Sequence, residues 1–422
     1  MADARPVVRR NVLAFTREFL GAFRVVVLNG PRQSGKSTLL RQLHSGPEGT
    51  GGSLFNLDDE AQRQAAIADP GAFVLSGEPF VYIDEVQRGG DALVRAVKTR
   101  VDDPSGTTTF VLAGSTNFLT VPTLSESLAG RAVLVEVWPF SQGERAGTHE
   151  GFLDRLVDEP HTLSGLACPQ LDRRDYLRRV VEGGYPEAVA LPEGRLRSTW
   201  FRSYVQTVTQ RDIREFARVR QPAELPRLLT FLAGGTAREL VKARLAGTVE
   251  IERNTLAGYL SLLDTVFLTR ALPAWSRNPL GKVTRHAKLH VCDTGLAAHL
   301  HGLDVDALAQ PVAPLRGQLV ETFVHNEIVK QRTWSSHEVS LSHWRDRQGA
   351  EVDLIVETPR GEVFGIECKA SLSVTAEDFR WLARLEAKLG DAFGHGVVFY
   401  MGTTPLSFGP KLTALPLSAL WA

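Results

Sequence analysis

Short apolar runs at residues 24–28, 53–57, 80–83, 109–114 and 132–137 alternate with stretches of helical periodicity. That alternation predicts a parallel sheet with helices on both faces, because parallel neighbours need a crossover and each crossover helix covers a face. Beyond Trp138-Pro139-Phe140 the pattern turns helical and rich in turns. Pro160, Pro169 and several glycines mark 147–172 as a surface excursion, which leads into a helical lid at 173–190. The strongest break of that lid is Gly183-Gly184-Tyr185-Pro186, and 197–231 is again mostly helical. Residues 237–241, 254–263 and 266–272 fit helix, helix, strand, with Leu256, Leu260 and Leu263 on one helical face. Near the end, 319–330 is an amphipathic helix, 347–356 a turn entering a strand, and 363–370 a further strand.

A chain of 422 residues exceeds one compact core and suggests on the order of two to four domains. The pattern divides it into a phosphate-loop core at 1–145, a helical lid and linker at 146–222, a third region at 223–312 and a terminal α/β domain at 313–422. The 237–272 order resembles a winged helix-turn-helix, in which Lys242, Arg244 and Arg253 would meet phosphates. Such a module also serves as a rigid lid or a protein contact. With 43% apolar and 23% charged residues the composition is that of an ordinary soluble protein. Its 48 basic and 48 acidic residues balance, so any nucleic-acid surface must be a local patch. No secretory signal or long apolar run is visible, and the expectation is a cytoplasmic protein with no membrane partner. Cys168, Cys292 and Cys368 lie far apart without C-x-x-C spacing, which argues against zinc and against disulfides.

Residues 30–37 read Gly-Pro-Arg-Gln-Ser-Gly-Lys-Ser, a G-x-x-x-x-G-K-[ST] phosphate loop between the apolar run 24–28 and the helix-like 38–43. Gly30 and Gly35 let the backbone curl, so that N–H groups from Gly30 through Pro31, Arg32, Gln33, Ser34 and on to Thr38 surround phosphate oxygens, Pro31 alone lacking the donor. Lys36 would reach the β- and γ-phosphates and the Ser37 hydroxyl would ligate Mg²⁺. Phe80-Val81-Tyr82-Ile83-Asp84-Glu85 is an apolar strand ending in two carboxylates. Asp84 suits the metal shell, and Glu85 suits the orientation and polarisation of an attacking water. After the run 109–114, Ser115 or Asn117 fits a sensor of the γ-phosphate. Arg131 is a candidate arginine finger, with a surface arginine at a helix end as the alternative.

The terminal region carries a second constellation: Glu321 on the amphipathic helix, Asp353 in Glu351-Val352-Asp353, and Glu367-Cys368-Lys369 on the next strand. Strand alternation puts Glu367 and Lys369 on one face and Cys368 on the other. If the strands pair, Asp353 and Glu367 can share one Mg²⁺ or Mn²⁺, with the Cys368 carbonyl completing a hard oxygen set. Lys369 would lower the pKa of a metal-bound water or neutralise the phosphate under attack, and Glu321 would orient the lysine or that water. The set resembles the PD-(D/E)xK phosphodiesterase core of restriction-endonuclease-like proteins over residues 315 to 400. A charged hairpin face with carboxylates paired to Lys369 is the alternative.

Taken together, the phosphate loop, Val-Tyr-Ile-Asp-Glu, Leu-Ala-Gly-Ser-Thr-Asn, Ser-Leu-Ala-Gly-Arg, Trp-Pro-Phe-Ser, Gly-Gly-Tyr-Pro-Glu and Lys-Leu-His-Val-Cys-Asp-Thr-Gly-Leu resemble one family in the same order. It is the group of bacterial and archaeal AAA+-like ATPases that carry a C-terminal domain of unknown function. The resemblance spans nearly the whole chain and implies an α/β multidomain protein: an AAA+-like parallel sheet, a helical lid, a winged helix and a nuclease-like domain. Asp293-Thr294-Gly295-Leu296 reads as a helix start capped by Asp293 or Thr294.

Two functions follow. One is an enzyme that binds and hydrolyses ATP, has DNA as partner and cuts it at the terminal site. The other is a nucleotide-dependent switch or scaffold that binds DNA or protein without cleavage. The phosphate loop by itself would also permit a small-molecule kinase, which the long C-terminal half disfavours. Arg131 in the finger role would require a homo-oligomer.

Overall fold

The computed structural model describes residues 7–75, 77–115, 128–213, 223–277, 286–346 and 348–422. The chain forms two compact units, Met1–Phe140 with Thr265–Phe267, and Ser141–Asp264 with Leu268–Ala422.

The first unit is built on five parallel strands: β1 (Val25–Asn29), β2 (Ser53–Asn56), β3 (Phe80–Asp84), β4 (Thr109–Gly114) and β5 (Ala132–Glu136), in the order β2-β3-β4-β1-β5. All five predicted runs are strands. Every residue of β1 is buried, as a central parallel strand covered on both faces requires, whereas β2 at the edge alternates between partly buried and exposed. Among the helices that pack on the sheet are α1 (Val12–Ala22), α2 (Lys36–Ser45) and α3 (Gly90–Asp102). Helix α2 buries Lys36, Leu39, Leu40 and Leu43, one stripe at helical spacing. On one sheet face Val25, Val27, Val81, Ile83, Phe110 and Leu112 form a core with Leu93, Val94 and Val97 of α3.

In the second unit, 147–172 is not the surface excursion its prolines and glycines suggested. It contains the helix Phe152–Asp158 and a 3-10 turn, Pro160–Gly165, which bury Phe152, Leu153, Leu156 and Leu163. Four large apolar side chains in twelve positions outweigh the turn residues. The lid region holds α4 (Arg173–Glu182), started by a capping box between Asp172 and Asp175. The Gly183-Gly184 break meets the Asp293 motif: Asp293 caps the helix Thr294–Leu300 through the Leu296 N–H at 2.9 Å and accepts the Gly184 N–H at 2.7 Å. A Cβ on Gly183 would stand 2.2 Å from Asp293 Oδ1, so the close approach needs glycine.

Next come α5 (Glu224–Gly234), β6 (Arg238–Glu239), α6 (Lys242–Val249), α7 (Arg253–Thr265), β7 (Thr269–Leu272) and β8 (Lys288–Val291). The three strands form an antiparallel sheet in the order β6-β8-β7. The helix expected at 237–241 is instead this short strand, because Ala237 takes φ 62° and its N–H bonds to the Leu289 carbonyl while that of Leu240 bonds to Ala287. The terminal part joins α8 (Arg316–Gln331), α9 (Arg380–Leu389) and six strands: β9 (Ser340–Arg345), β10 (Glu351–Glu357), β11 (Val363–Lys369), β12 (Phe393–Tyr400), β13 (Leu406–Gly409) and β14 (Leu412–Pro416), in the order β13-β14-β12-β11-β10-β9. Strand β10 is antiparallel to both of its neighbours, β9 and β11, and β12 is parallel to β11. Leu382, Leu385 and Leu389 of α9 pack with Val352, Ile355, Val363 and Phe393. No helix among the described residues is long and apolar enough to cross a membrane.

Candidate functional site

Strand β1 delivers the chain to the phosphate loop at Asn29, and α2 takes it up at Lys36. A Cβ on Gly30 would come within 2.2 Å of the Val137 carbonyl oxygen. Gln33 and Gly35 have φ of 59° and 98°, left-handed values that turn the loop tightly. No side chain caps the N-terminus of α2 and no acidic residue sits in its first turn, so the N–H groups there remain available to an anion. The Ser34 hydroxyl is buried without a hydrogen-bond partner. These features fit a bound phosphate chain. Arg10, which no motif marks in the sequence, anchors the loop by donating from Nη1 to the Ser34 carbonyl at 2.7 Å and from Nη2 to the Trp138 carbonyl at 2.6 Å.

The Lys36 ammonium is buried and donates to the carbonyls of Gly30 at 2.9 Å and Pro31 at 2.6 Å. Burial lowers its pKa to about 8, while Glu85 and Asp84 pull the other way. Asp84 ends β3, and its Oδ1 accepts the Glu85 N–H at 3.0 Å. Glu85 has φ 53°, a sparsely populated conformation for a residue with a side chain. Its carboxylate accepts from Gln87 Nε2 and, at 3.4 Å, from the Ser115 hydroxyl, and Gln87 Nε2 also reaches Ser115 Oγ at 3.2 Å. Because β4 lies between β1 and β3, Ser115 just past its end comes beside the end of β3. Burial raises the Glu85 pKa, and Lys36 opposes the rise. Asn117 lies outside the described residues.

Arg131 stands elsewhere. It precedes β5, whose first residue Ala132 is level with Val25 at the start of β1, so Arg131 occupies the sheet edge opposite the phosphate loop. There it pairs with Asp102 at the end of α3.

The predicted terminal residues do meet, with two additions. The β10–β11 register sets Leu354 opposite Ile366, which brings Asp353 to β11, where its Oδ2 accepts the Cys368 N–H at 3.0 Å. Lys369 Nζ is 3.2 Å from Glu367 Oε2. Into this cluster runs Lys288 of β8, whose Nζ lies 2.6 Å from Glu351 Oε1, 2.7 Å from Glu321 Oε1 and 3.2 Å from Asp353 Oδ1. The sequence signal for Lys288 was a lysine opening the short strand Lys-Leu-His-Val; Glu351 shares the face of Asp353 by strand alternation. Four carboxylates thus face two ammonium groups. Burial, then Asp353, pushes the Glu321 carboxyl up to about 8 and holds that of Glu367 well above the carboxylate range. Burial alone would lower Lys288, but Asp353, Glu321 and Glu351 outweigh it and keep the ammonium charged. Among the described residues, no group of three or more His, Cys, Asp or Glu side chains is arranged to hold a metal ion.

The AAA domain family matches residues 22–146. Two further families, described as domains of unknown function (DUF8612 and DUF4143), match residues 173–307 and 316–420. The phosphate loop, the parallel sheet and the AAA match over residues 22–146 together support a nucleotide-binding, ATPase-like function. Uncharacterized proteins of Mycobacterium bovis and Mycobacterium tuberculosis are each 32% identical over 364 residues, covering 86% of this chain and 74% of their own length. The chain belongs to the same family as these two mycobacterial proteins. A solved DNA polymerase III gamma subunit-related protein of Thermotoga maritima is 14% identical, covers 60% of this chain and 97% of its own, and has a TM-score of 0.25.

Proposed function

We propose that the chain binds and hydrolyses ATP to drive a nucleotide-dependent action on DNA. The observation that carries this reading is the convergence, at one edge of the first sheet, of the phosphate loop, Lys36, Asp84 and the Glu85–Gln87–Ser115 group. The N–H groups of residues 30–38 cradle the phosphates, and Lys36 exchanges the Gly30 and Pro31 carbonyls for β- and γ-phosphate oxygens. Ser37 and Asp84 hold Mg²⁺, which when bound neutralises phosphate charge. Glu85 positions the attacking water, with Gln87 and Ser115 fixing its carboxylate and Asn117 or Ser115 sensing the γ-phosphate. Arg131, on the far sheet edge from its own loop, acts as a finger only toward a neighbouring subunit.

Support for DNA as partner comes from the second unit. The order α5, β6, α6, α7, β7, β8 with its three-stranded sheet supports a winged helix, and Lys242, Arg244 and Arg253 are exposed on it. The order α8, β9, β10, β11, α9, β12 supports a restriction-endonuclease-like domain. A cutting version would use Asp353 and Glu367 as Mg²⁺ or Mn²⁺ ligands beside Lys369 and Glu321. The ammonium of Lys288 among those carboxylates favours the other version, a switch that binds without cleaving.

ATP turnover with and without duplex DNA tests the reading. The natural chain is expected to hydrolyse ATP at a rate that DNA changes, Lys36→Ala to bind nucleotide about 10²-fold more weakly, and Glu85→Gln to bind and stall. Undiminished turnover by Glu85→Gln sinks the water-positioning role, and DNA that neither binds nor alters turnover sinks the partner.

A further inference from the structure

We infer that Lys288 is a built-in cation standing where a divalent metal would sit in the terminal domain, so that the domain holds nucleic acid without cutting it; this rests on the restriction-endonuclease-like reading above. An ammonium has three N–H donors and no acceptor. Those of Lys288 lie 2.6, 2.7 and 3.2 Å from three separate carboxylates, Glu351 and Asp353 on β10 and Glu321 on α8. A Mg²⁺ or Mn²⁺ ion drawing on the same oxygens would bind them at about 2.0–2.2 Å from nearly the same centre. Ion and ammonium therefore exclude one another.

The lysine is not free to leave. Its strand, β8, is the middle one of three, and Lys288 itself is paired with Glu239 of β6 on one side and Leu272 of β7 on the other. Its side chain is 2% exposed, against 32% for Lys369, so no solvent path lets the ammonium swing aside while the strand stays in place. The carboxylate set nevertheless keeps metal-ligand chemistry. Glu367 Oε1 is buried with no hydrogen-bond partner, an acceptor that neither lysine satisfies. Residues and metal do not fit together while Lys288 is present.

The test is Mn²⁺ binding followed by electron paramagnetic resonance, on the full chain carrying Lys36→Ala and without nucleotide, so that the phosphate-loop site does not contribute. With Lys288 intact, no tightly bound Mn²⁺ is expected. Lys288→Met should bind one Mn²⁺ per chain, should melt at a higher temperature when Mn²⁺ is added, and should lose both responses on adding Asp353→Asn. Should Lys288→Met fail to fold, Lys288→Met with Glu351→Gln removes one excess negative charge and serves instead. Mn²⁺ bound by the Lys288 chain and lost in Asp353→Asn overturns the inference, and so does a folded Lys288→Met that binds none. If neither Lys288 variant folds, the Lys288 chain decides alone by those same two outcomes. Duplex DNA titrated in parallel separates the two failures: DNA binding together with Mn²⁺ on the Lys288 chain overturns only the lysine's role, whereas absence of DNA binding overturns the nuclease-like reading.

Discussion

Each unit buries a lysine beside carboxylates, and the two lysines are held in opposite ways. Lys36 leans on two carbonyl oxygens of its own loop, at 2.9 and 2.6 Å, and burial drags its pKa to about 8. Lys288 is surrounded by carboxylates and held above the ordinary lysine value despite equal concealment from water. Neutral carbonyls compensate a buried charge only in part, so Lys36 gains when phosphate oxygens arrive. Three surrounding carboxylates compensate far more of the charge, so Lys288 has little to gain from a ligand. One lysine is poised and the other is satisfied.

The contrast is broken or sharpened most strongly at the carboxylates that face each lysine. Glu85→Gln keeps the shape of the side chain and its contacts with Gln87 and Ser115 but removes the carboxylate proposed to polarise water. Steady-state turnover should fall by about 10²–10⁴-fold with ATP affinity retained. On the other side, Lys288→Met leaves three partly buried carboxylates without their shared ammonium. Unfolding of the second unit in denaturant should show a loss of about 1–3 kcal/mol in metal-free buffer, because the partly buried carboxylates lose their shared donor. An unchanged midpoint would mean that Lys288 contributes no such compensation. Lys36→Ala comes next, lowering ATP affinity by about 10²-fold through lost charge-assisted hydrogen bonds while costing the fold little, since Lys36 bonds only to loop carbonyls.

The two sites were unequally legible in the sequence. The phosphate loop and the Asp84-Glu85 strand could be read because their chemistry is local: a few consecutive residues carry the turn, the donors and the carboxylates. Arg10 could not, since its contacts with Ser34 and Trp138 reach 24 and 128 positions along the chain. Gln87 gained its place only once β4 was known to lie beside β3. At the terminal site Glu321 on its helix, and Asp353, Glu367 and Lys369 on their strands, were singled out as a series that resembles a known nuclease core, yet Lys288 comes from a different sheet. Its appearance among them depends on packing that no periodicity encodes. The strand at 238–239 was missed for a related reason, as its pairing to Ala287 and Leu289 lies far along the sequence.

Smaller, and specific to the poised lysine, is a dependence on pH. With a folded pKa near 8 against 10.5 for an ordinary lysine, the unfolded chain binds a proton between those values that the folded chain does not. Stability of the first unit should therefore rise as pH increases from about 8 toward 10.5, since the cost of burying the charge disappears when Lys36 is neutral. ATP affinity should move the opposite way, falling by up to about tenfold per pH unit above 8 because binding must restore the proton. Calorimetric titrations with ATP across that range check both the slope and its absence in Lys36→Ala.

The smallest effect concerns Arg131. Its guanidinium is held by Asp102 at the sheet edge away from its own phosphate loop, so Arg131→Ala should leave ATP affinity and the melting temperature of an isolated chain unchanged. What it can alter is turnover in an assembly, where a guanidinium from one chain neutralises charge on the phosphoryl group of the next. In that case the rate per chain of the natural protein rises with protein concentration and the rise vanishes in Arg131→Ala. A rate per chain that is flat with concentration and equal in the two proteins leaves Arg131 as one half of a surface ion pair, and the first unit then turns over ATP with the residues at its own sheet edge alone.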